Sequence, residues 1–178
     1  MTNKGLEIFK EELSLIQDRE VLDLIEALLV FTPSYFWRIK GSTTGKYHPE
    51  DENKPGGKVL HVKRAVHVAK ELCHMENILS PRKDMLLGAM ILHDMFCQGL
   101  EDNKDFTDMA HPYYVRQVSP QLANMKYYNH VTEIIEGHMG RWSSNETPII
   151  YDSQLVKLGQ IADYISSKRG IILPDISV

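Results

Sequence analysis

Cysteine is scarce in this chain: 178 residues contain only Cys73 and Cys97. Two thiols are too few for a disulfide framework, and a reduced, cytoplasmic setting fits them better. Long apolar runs are absent too, and none approaches the roughly 18 residues that a membrane-spanning helix needs. The opening residues, MTNKGLEIFKEEL, are amphipathic and charged, unlike a secretory signal. Basic residues are not in excess, since 20 Lys and Arg face 24 Asp and Glu for a net charge of −4. That balance argues against a surface built for long nucleic acid, but not against a small anion held by a metal. There is no repeat, no low-complexity tract and no convincing strand alternation. What remains is an all-α reading, one domain over residues 1–178 with about seven helices.

Residues 6–31 read as helix with a break near Gln17 and Asp18, carrying Leu13, Ile16, Leu24, Ile25, Leu28 and Leu29 on the apolar side. Thr32 and Pro33 end it. Residues 33–57, rich in glycine and proline, read as a long loop, a length that is usually functional or disordered. Helix resumes near Lys58 and runs to about Met75. The next helix is expected to start with Ser80 as its cap, Pro81 at its first position and Asp84 in its first turn, and to run to about Cys97. Residues 98–110 form a polar loop. Pro112 opens a short helix, residues 126–138 form another, and Asp152 caps a last helix that stops at Gly170.

The histidines sort by face. His61 shares a helix face with Ala65, Val68, Ala69 and Leu72, whereas His67 and His74 lie on the solvated side. The segment MLLGAMILHDMF is apolar nearly all round and ends in His93 and Asp94. Val131, Ile134, Ile135 and His138 follow helical spacing, so His138 ends a core stripe, while His130 sits off it. Val156, Gly159 and Asp163 stack on the last helix, and Gly159 would let another helix approach. Polar groups facing a core are costly unless paired or bound to a metal. Each has an ordinary alternative: a satisfied core histidine for His61, a helix end meeting water for His93 and Asp94, a buried salt bridge for Asp163. Convergence on a metal between facing helices accounts for all of them at once.

The order H…HD…H…H…D resembles the HD-domain superfamily of metal-dependent phosphohydrolases. The strings that carry it are GGKVLHVKRAVHVAKEL (56–72), MLLGAMILHDM (85–95), HPYYV (111–115), IIEGHMGRW (134–142) and LGQIADYISSKR (158–169). The match spans roughly residues 33–170, with a metal-binding core over 58–170 flanked by the 33–57 loop. GKYHPE (45–50) ahead of GGKVLH, with HMGRW later, is similar to small HD-domain hydrolases of phage and prokaryotes. It is also similar to the HD part of bacterial 3′–5′ exoribonucleases. The resemblance implies an HD-type helical bundle in which His61, His93, Asp94 and Asp163 hold a first metal. His111, which rests mainly on the resemblance, and His138 would hold a second, with Asp94 bridging both and least replaceable for catalysis. Two departures stand out. Gln98 lies near the place where a lysine follows the His-Asp pair in this family, and Lys58 and Val62 replace a usual hydrophobic residue and threonine.

One or two divalent transition ions, Mn, Fe, Co, Ni or Zn, suit imidazole and carboxylate ligands. The implied activity is cleavage of a phosphoester of a nucleotide or short phosphodiester by metal-activated hydroxide. Lys46 and His48 from the loop, and Arg141 from the opposite side, are the expected substrate contacts. The run GSTTGKY is not a P-loop, because it is one residue short and Tyr47 stands where Ser or Thr is required. A small nucleotide or short oligonucleotide is expected as substrate, with neither a membrane nor long nucleic acid as partner. The alternatives are a non-catalytic nucleotide-binding or regulatory module of the same fold, and a diiron oxygenase.

Overall fold

The computed structural model describes residues 4–42, 48–101, 105–140 and 153–168. Among these residues the chain is all-helical, with eight α-helices and no strand. They are α1 (Lys4–Ile8), α2 (Lys10–Leu13), α3 (Arg19–Leu29), α4 (Gly57–Met75), α5 (Arg82–Leu92), α6 (Tyr114–Val118), α7 (Tyr128–Gly137) and α8 (Gln154–Ser166). No helix among the described residues is long and apolar enough to cross a membrane.

The apolar helix α5 lies at the centre because every residue from Asp84 to Leu92 is buried. Helices α3, α4, α7 and α8 pack around it, and α8 also packs on α4 and α7. Close packing is helped at Gly159, where a Cβ would lie 3.2 Å from Ile134 and 3.6 Å from Leu86 and Met90. The expected approach of helices at this glycine is therefore present.

The break between α2 and α3 falls where the sequence places it. Asp18 caps α3 by accepting from the N–H groups of Glu20 and Val21. The N–H groups of Gln17 and Asp18 themselves donate to the buried carboxylate of Asp84 on α5. Ser80 is not the cap of α5. The helix begins at Arg82 with Pro81 at the cap position, and the Ser80 hydroxyl donates to Asp84 over 2.6 Å instead. α5 also ends at Leu92, short of Cys97, so that His93 and Asp94 lie just past its end. Ser153 rather than Asp152 caps α8, its Oγ accepting from Val156 N–H. Asp152 and Gly170 lie outside the described residues.

The 33–57 segment is not featureless. It holds 3-10 turns at Ser34–Trp37 and Glu50–Glu52. Phe36 and Trp37 pack with Phe9 of the α1–α2 junction. Tyr35 donates its hydroxyl to the Gly99 carbonyl over 2.6 Å and accepts from the Gln98 N–H. These contacts tie the segment to the turn that follows His93 and Asp94.

Candidate metal centre

Six residues brought together by this fold are the six expected ligands. His61 comes from α4 and Asp163 from α8. His93 and Asp94 follow α5, His111 opens a 3-10 turn, and His138 follows α7. All four imidazoles are at most 3 % exposed. His67, His74 and His130 are exposed, as their positions off the apolar stripes predict.

The Asp94 carboxylate stands between two pairs of imidazoles. Its Oδ2 is 3.6 Å from Nε2 of both His61 and His93. Its Oδ1 is 3.1 Å from Nε2 of His111 and 3.8 Å from Nε2 of His138. Asp163 completes the first pair, with Oδ1 3.0 Å from His61 Nε2 and 3.5 Å from His93 Nε2. Among the described residues three sets of atoms lie within 4.8 Å of one another, His61–His93–Asp94, Asp94–His111–His138 and, beside them, His48–Glu52–His61.

The ring tautomers follow from the partners. Nδ1 of His93, His111 and His138 is bonded to the carbonyl three residues earlier, Met90, Asp108 and Ile135, at 2.6–2.8 Å. A carbonyl only accepts, so each Nδ1 carries a proton, and Nε2 is the inward atom that a neutral ring would offer to a metal. Helix ends make this possible for His93 and His138, because the last carbonyls of a helix have no intrahelical donor. The inward nitrogens face each other closely, at 3.3 Å for His111 and His138 and 3.4 Å for His61 and His93. Lone pairs and carboxylates converging in a buried space fit a transition-metal ion, whose neutral-imidazole ligands are commonly oriented in this way.

His61 is held differently. It lies within α4, where the nearby carbonyls bond to the helix itself, and its buried Nδ1 has no hydrogen-bond partner among the described residues. The group facing it is Glu52, with Oε2 3.8 Å away. The other contacts of Glu52 are His48 Nδ1 at 2.7 Å and the Arg64 guanidinium. Arg64 also pairs with Asp51, which is the ordinary ion-pairing role for that arginine. Glycines make room for this carboxylate. A Cβ on Gly41 would lie 2.8 Å from Glu52 Oε2, and one on Gly57 would lie 1.8 Å from the Glu52 carbonyl oxygen.

A lysine completes the interior. Lys58, on the first turn of α4, is 7 % exposed and donates from Nζ to Asp94 Oδ2 over 2.7 Å. Burial opposes its charge, but the Asp94 carboxylate, with help from Cys97 and Asp163, raises its pKa above the ordinary lysine value. Burial likewise works against the Asp94 carboxylate, yet Lys58, His93 and His111 hold it well below the usual range. Asp163 is held low against burial by the neighbouring His61 and His93. Burial and the neighbouring His93 and His111 push His138 down to about 3, so it stays neutral and able to act as a ligand. Burial lowers His61 as well, whereas Asp94 and Asp163 outweigh burial at His93 and raise it.

The centre opens on a cleft of about 810 Å³ lined by His48, His138, Gln160, Asp163 and Tyr164 among others. His48 lines this cleft and is also bonded to Glu52. Lys46 and Arg141 lie outside the described residues. Gln98 offers its N–H to Tyr35, and the positive charge at the site comes from Lys58 instead.

Sequence reasoning missed three supporting groups. Lys58 precedes His61 by one helical turn and could have been read on the same face. Asp108 precedes His111 by three residues and is bound by the Tyr114 hydroxyl and the Ala110 N–H, which fixes the turn presenting His111. Glu52 had no local signal, because its placement depends on how the 33–57 segment folds back. Compared with protein-family models, curated proteins and solved structures, the chain has no match.

Proposed function

We propose that this chain is a metal-dependent phosphohydrolase of the HD-domain type, acting on a phosphoester of a nucleotide or a short phosphodiester. The observation that carries the proposal is the shared carboxylate: Asp94 directs one oxygen at each of two buried imidazole pairs. His61, His93, Asp94 and Asp163 would hold one divalent ion, and His111, His138 and Asp94 a second. Imidazole and carboxylate favour Mn, Fe, Co, Ni or Zn over calcium. A pair of such ions would supply the lowered pKa of water and the charge stabilisation that phosphoester cleavage needs.

The chain's own groups do the rest. Carbonyl bonds from Met90, Asp108 and Ile135 keep three imidazoles aimed with Nε2 inward. Apolar packing around α5 keeps bulk water from the imidazoles, leaving the cleft beside Asp163 and His138 as the way in. Its volume falls within the ~300–1,000 Å³ of small-molecule sites. With the acidic net charge, that suits a small nucleotide better than long nucleic acid. His48 at the rim, with Lys46 and Arg141, would contact phosphate or base. Two buried thiols and the absence of a disulfide among the described residues support a reduced cytoplasmic setting for the same reading.

The test is metal analysis of the purified chain, followed by side-by-side assays with manganese on small nucleotides, short oligonucleotides and long RNA or DNA. Turnover of the small substrates is expected. Faster processive degradation of long RNA would replace this reading with an exoribonuclease-like one. Iron-dependent oxygen consumption without ester cleavage would replace it with the oxygenase.

A further inference from the structure

The buried ammonium of Lys58 is not needed to hold an ion, and it occupies a costly position. Taking a lysine charge out of water is unfavourable unless it is compensated. Its hydrogen bond among the described residues is the one to Asp94 Oδ2. An ammonium has three donors, so two remain beyond that bond. The acceptor that fixes Lys58 is the oxygen that also faces His61 and His93. The lysine is therefore anchored within the cluster rather than beside it.

Charge decides what such a group would recognise. Asp94 and Asp163 bring two negative charges, and imidazoles that ligate a metal must be neutral and bring none. Two divalent ions would leave two positive charges in excess, and Lys58 makes the excess three. A terminal phosphoryl group, nearly a dianion at neutral pH, offsets more of this excess than a diester monoanion. It also offers three unesterified oxygens to the donors, where a diester offers two. We infer that Lys58 contacts an unesterified phosphoryl oxygen of the substrate and makes the centre select phosphomonoesters over diesters. This rests on the phosphohydrolase reading above and adds the ester class to it.

The experiment uses the metal-loaded full chain, Lys58→Met and Lys58→Arg. Metal content is measured for each, along with kcat/KM on p-nitrophenyl phosphate and bis-p-nitrophenyl phosphate, and affinity for inorganic phosphate by calorimetry. Methionine keeps the length and removes the charge, while arginine keeps the charge and controls for folding. Lys58→Met is expected to keep its metals but bind phosphate roughly tenfold or more weakly, the size of one charge-assisted hydrogen bond. Its monoester-to-diester ratio should fall by about the same factor, and Lys58→Arg should recover part of both. Unchanged phosphate affinity and ratio in Lys58→Met would overturn the inference, as would loss of metal without the charge. If the wild-type chain cleaves neither ester yet binds phosphate through Lys58, the hydrolase reading fails and the anion contact stands.

Discussion

Glu52 Oε2 lies 3.8 Å from Nδ1 of His61, a buried nitrogen with no hydrogen-bond partner among the described residues. The remaining three imidazoles of the centre lean on backbone carbonyls, which a side-chain substitution cannot remove. The group that faces the outer nitrogen of His61 is instead a replaceable carboxylate. Glu52→Gln should weaken binding of one metal by about 10–100-fold, as loss of such an outer partner usually does. Competition against a chelator measures it, and an unaltered affinity would show that α4 alone orients the ring.

Asp94→Asn should abolish turnover while the chain stays folded, since the amide keeps the shape and an acceptor for Lys58. Asp94→Ala is a harsher change than its place in the ligand set suggests. It strands the Lys58 ammonium in the interior, at a cost of about 3–5 kcal/mol. Adding Lys58→Met to Asp94→Ala should recover much of that loss. Denaturant unfolding of the four proteins decides it, and a double variant no more stable than Asp94→Ala refutes the pairing energy.

His111→Ala with His138→Ala should lower metal stoichiometry toward one ion per chain. Asp163, His61 and His93 remain grouped around the other half of Asp94. Two ions per chain at saturating manganese would mean that the second set of ligands has been misassigned.

Gly57→Ala should destabilise the fold by roughly 1–3 kcal/mol, the usual cost of overpacking. The new methyl would overlap the Glu52 carbonyl, so the 3-10 turn carrying Glu52 must shift. Metal affinity should fall with it, because Glu52 moves away from His61. An alanine variant with unchanged melting and metal affinity would rule out the close approach.

Acid should destabilise the metal-free protein in two stages. His61 and His138 are held below the ordinary histidine value of 6.5, so they resist charging in the fold and stability declines as pH drops below that value. Glu52, Asp94 and Asp163 are more acidic in the fold than their ordinary values of 4.5 and 3.8. The stability they contribute is present above those values and is lost as pH falls through the depressed ones. His93, which is raised, acts oppositely and contributes fully below 6.5. Melting temperature in chelator should thus slope downward from about pH 6.5 and more steeply below 4.5. A flat profile between pH 6.5 and 3 contradicts the assigned shifts.

Helical periodicity made the ligands legible because a polar residue ending an apolar stripe has little freedom to face elsewhere. His61, His138 and Asp163 were visible in that way, and the apolar segment before His93 marked the central helix. His111 was not legible from its own surroundings, since a histidine before proline after a polar loop has no face to read. Its burial comes from Asp108, whose N–H donates to the Cys97 carbonyl and draws the loop inward. Ser80 and Asp152 show the weakness of cap signals. A serine before proline and an aspartate before serine are both plausible caps, and tertiary bonds from Asp84 and the neighbouring Ser153 decided otherwise. The 33–57 segment looked structureless because its order comes from Tyr35, Phe36 and Trp37 reaching distant partners, which spacing along the chain does not encode.

The Lys58–Asp94 pair also bears on the order of events in the life of the molecule. A cluster of acidic groups with no counter-charge resists collapse until a metal arrives, as in small domains that stay unfolded without zinc. Here the chain carries its own cation to the shared carboxylate, and a large apolar core surrounds α5 independently of any ligand. Folding would therefore be separable from the loading of a metal. A completed fold would meet whichever ion is supplied, and the identity of a metal held there would be a matter of supply and exchange rather than of birth.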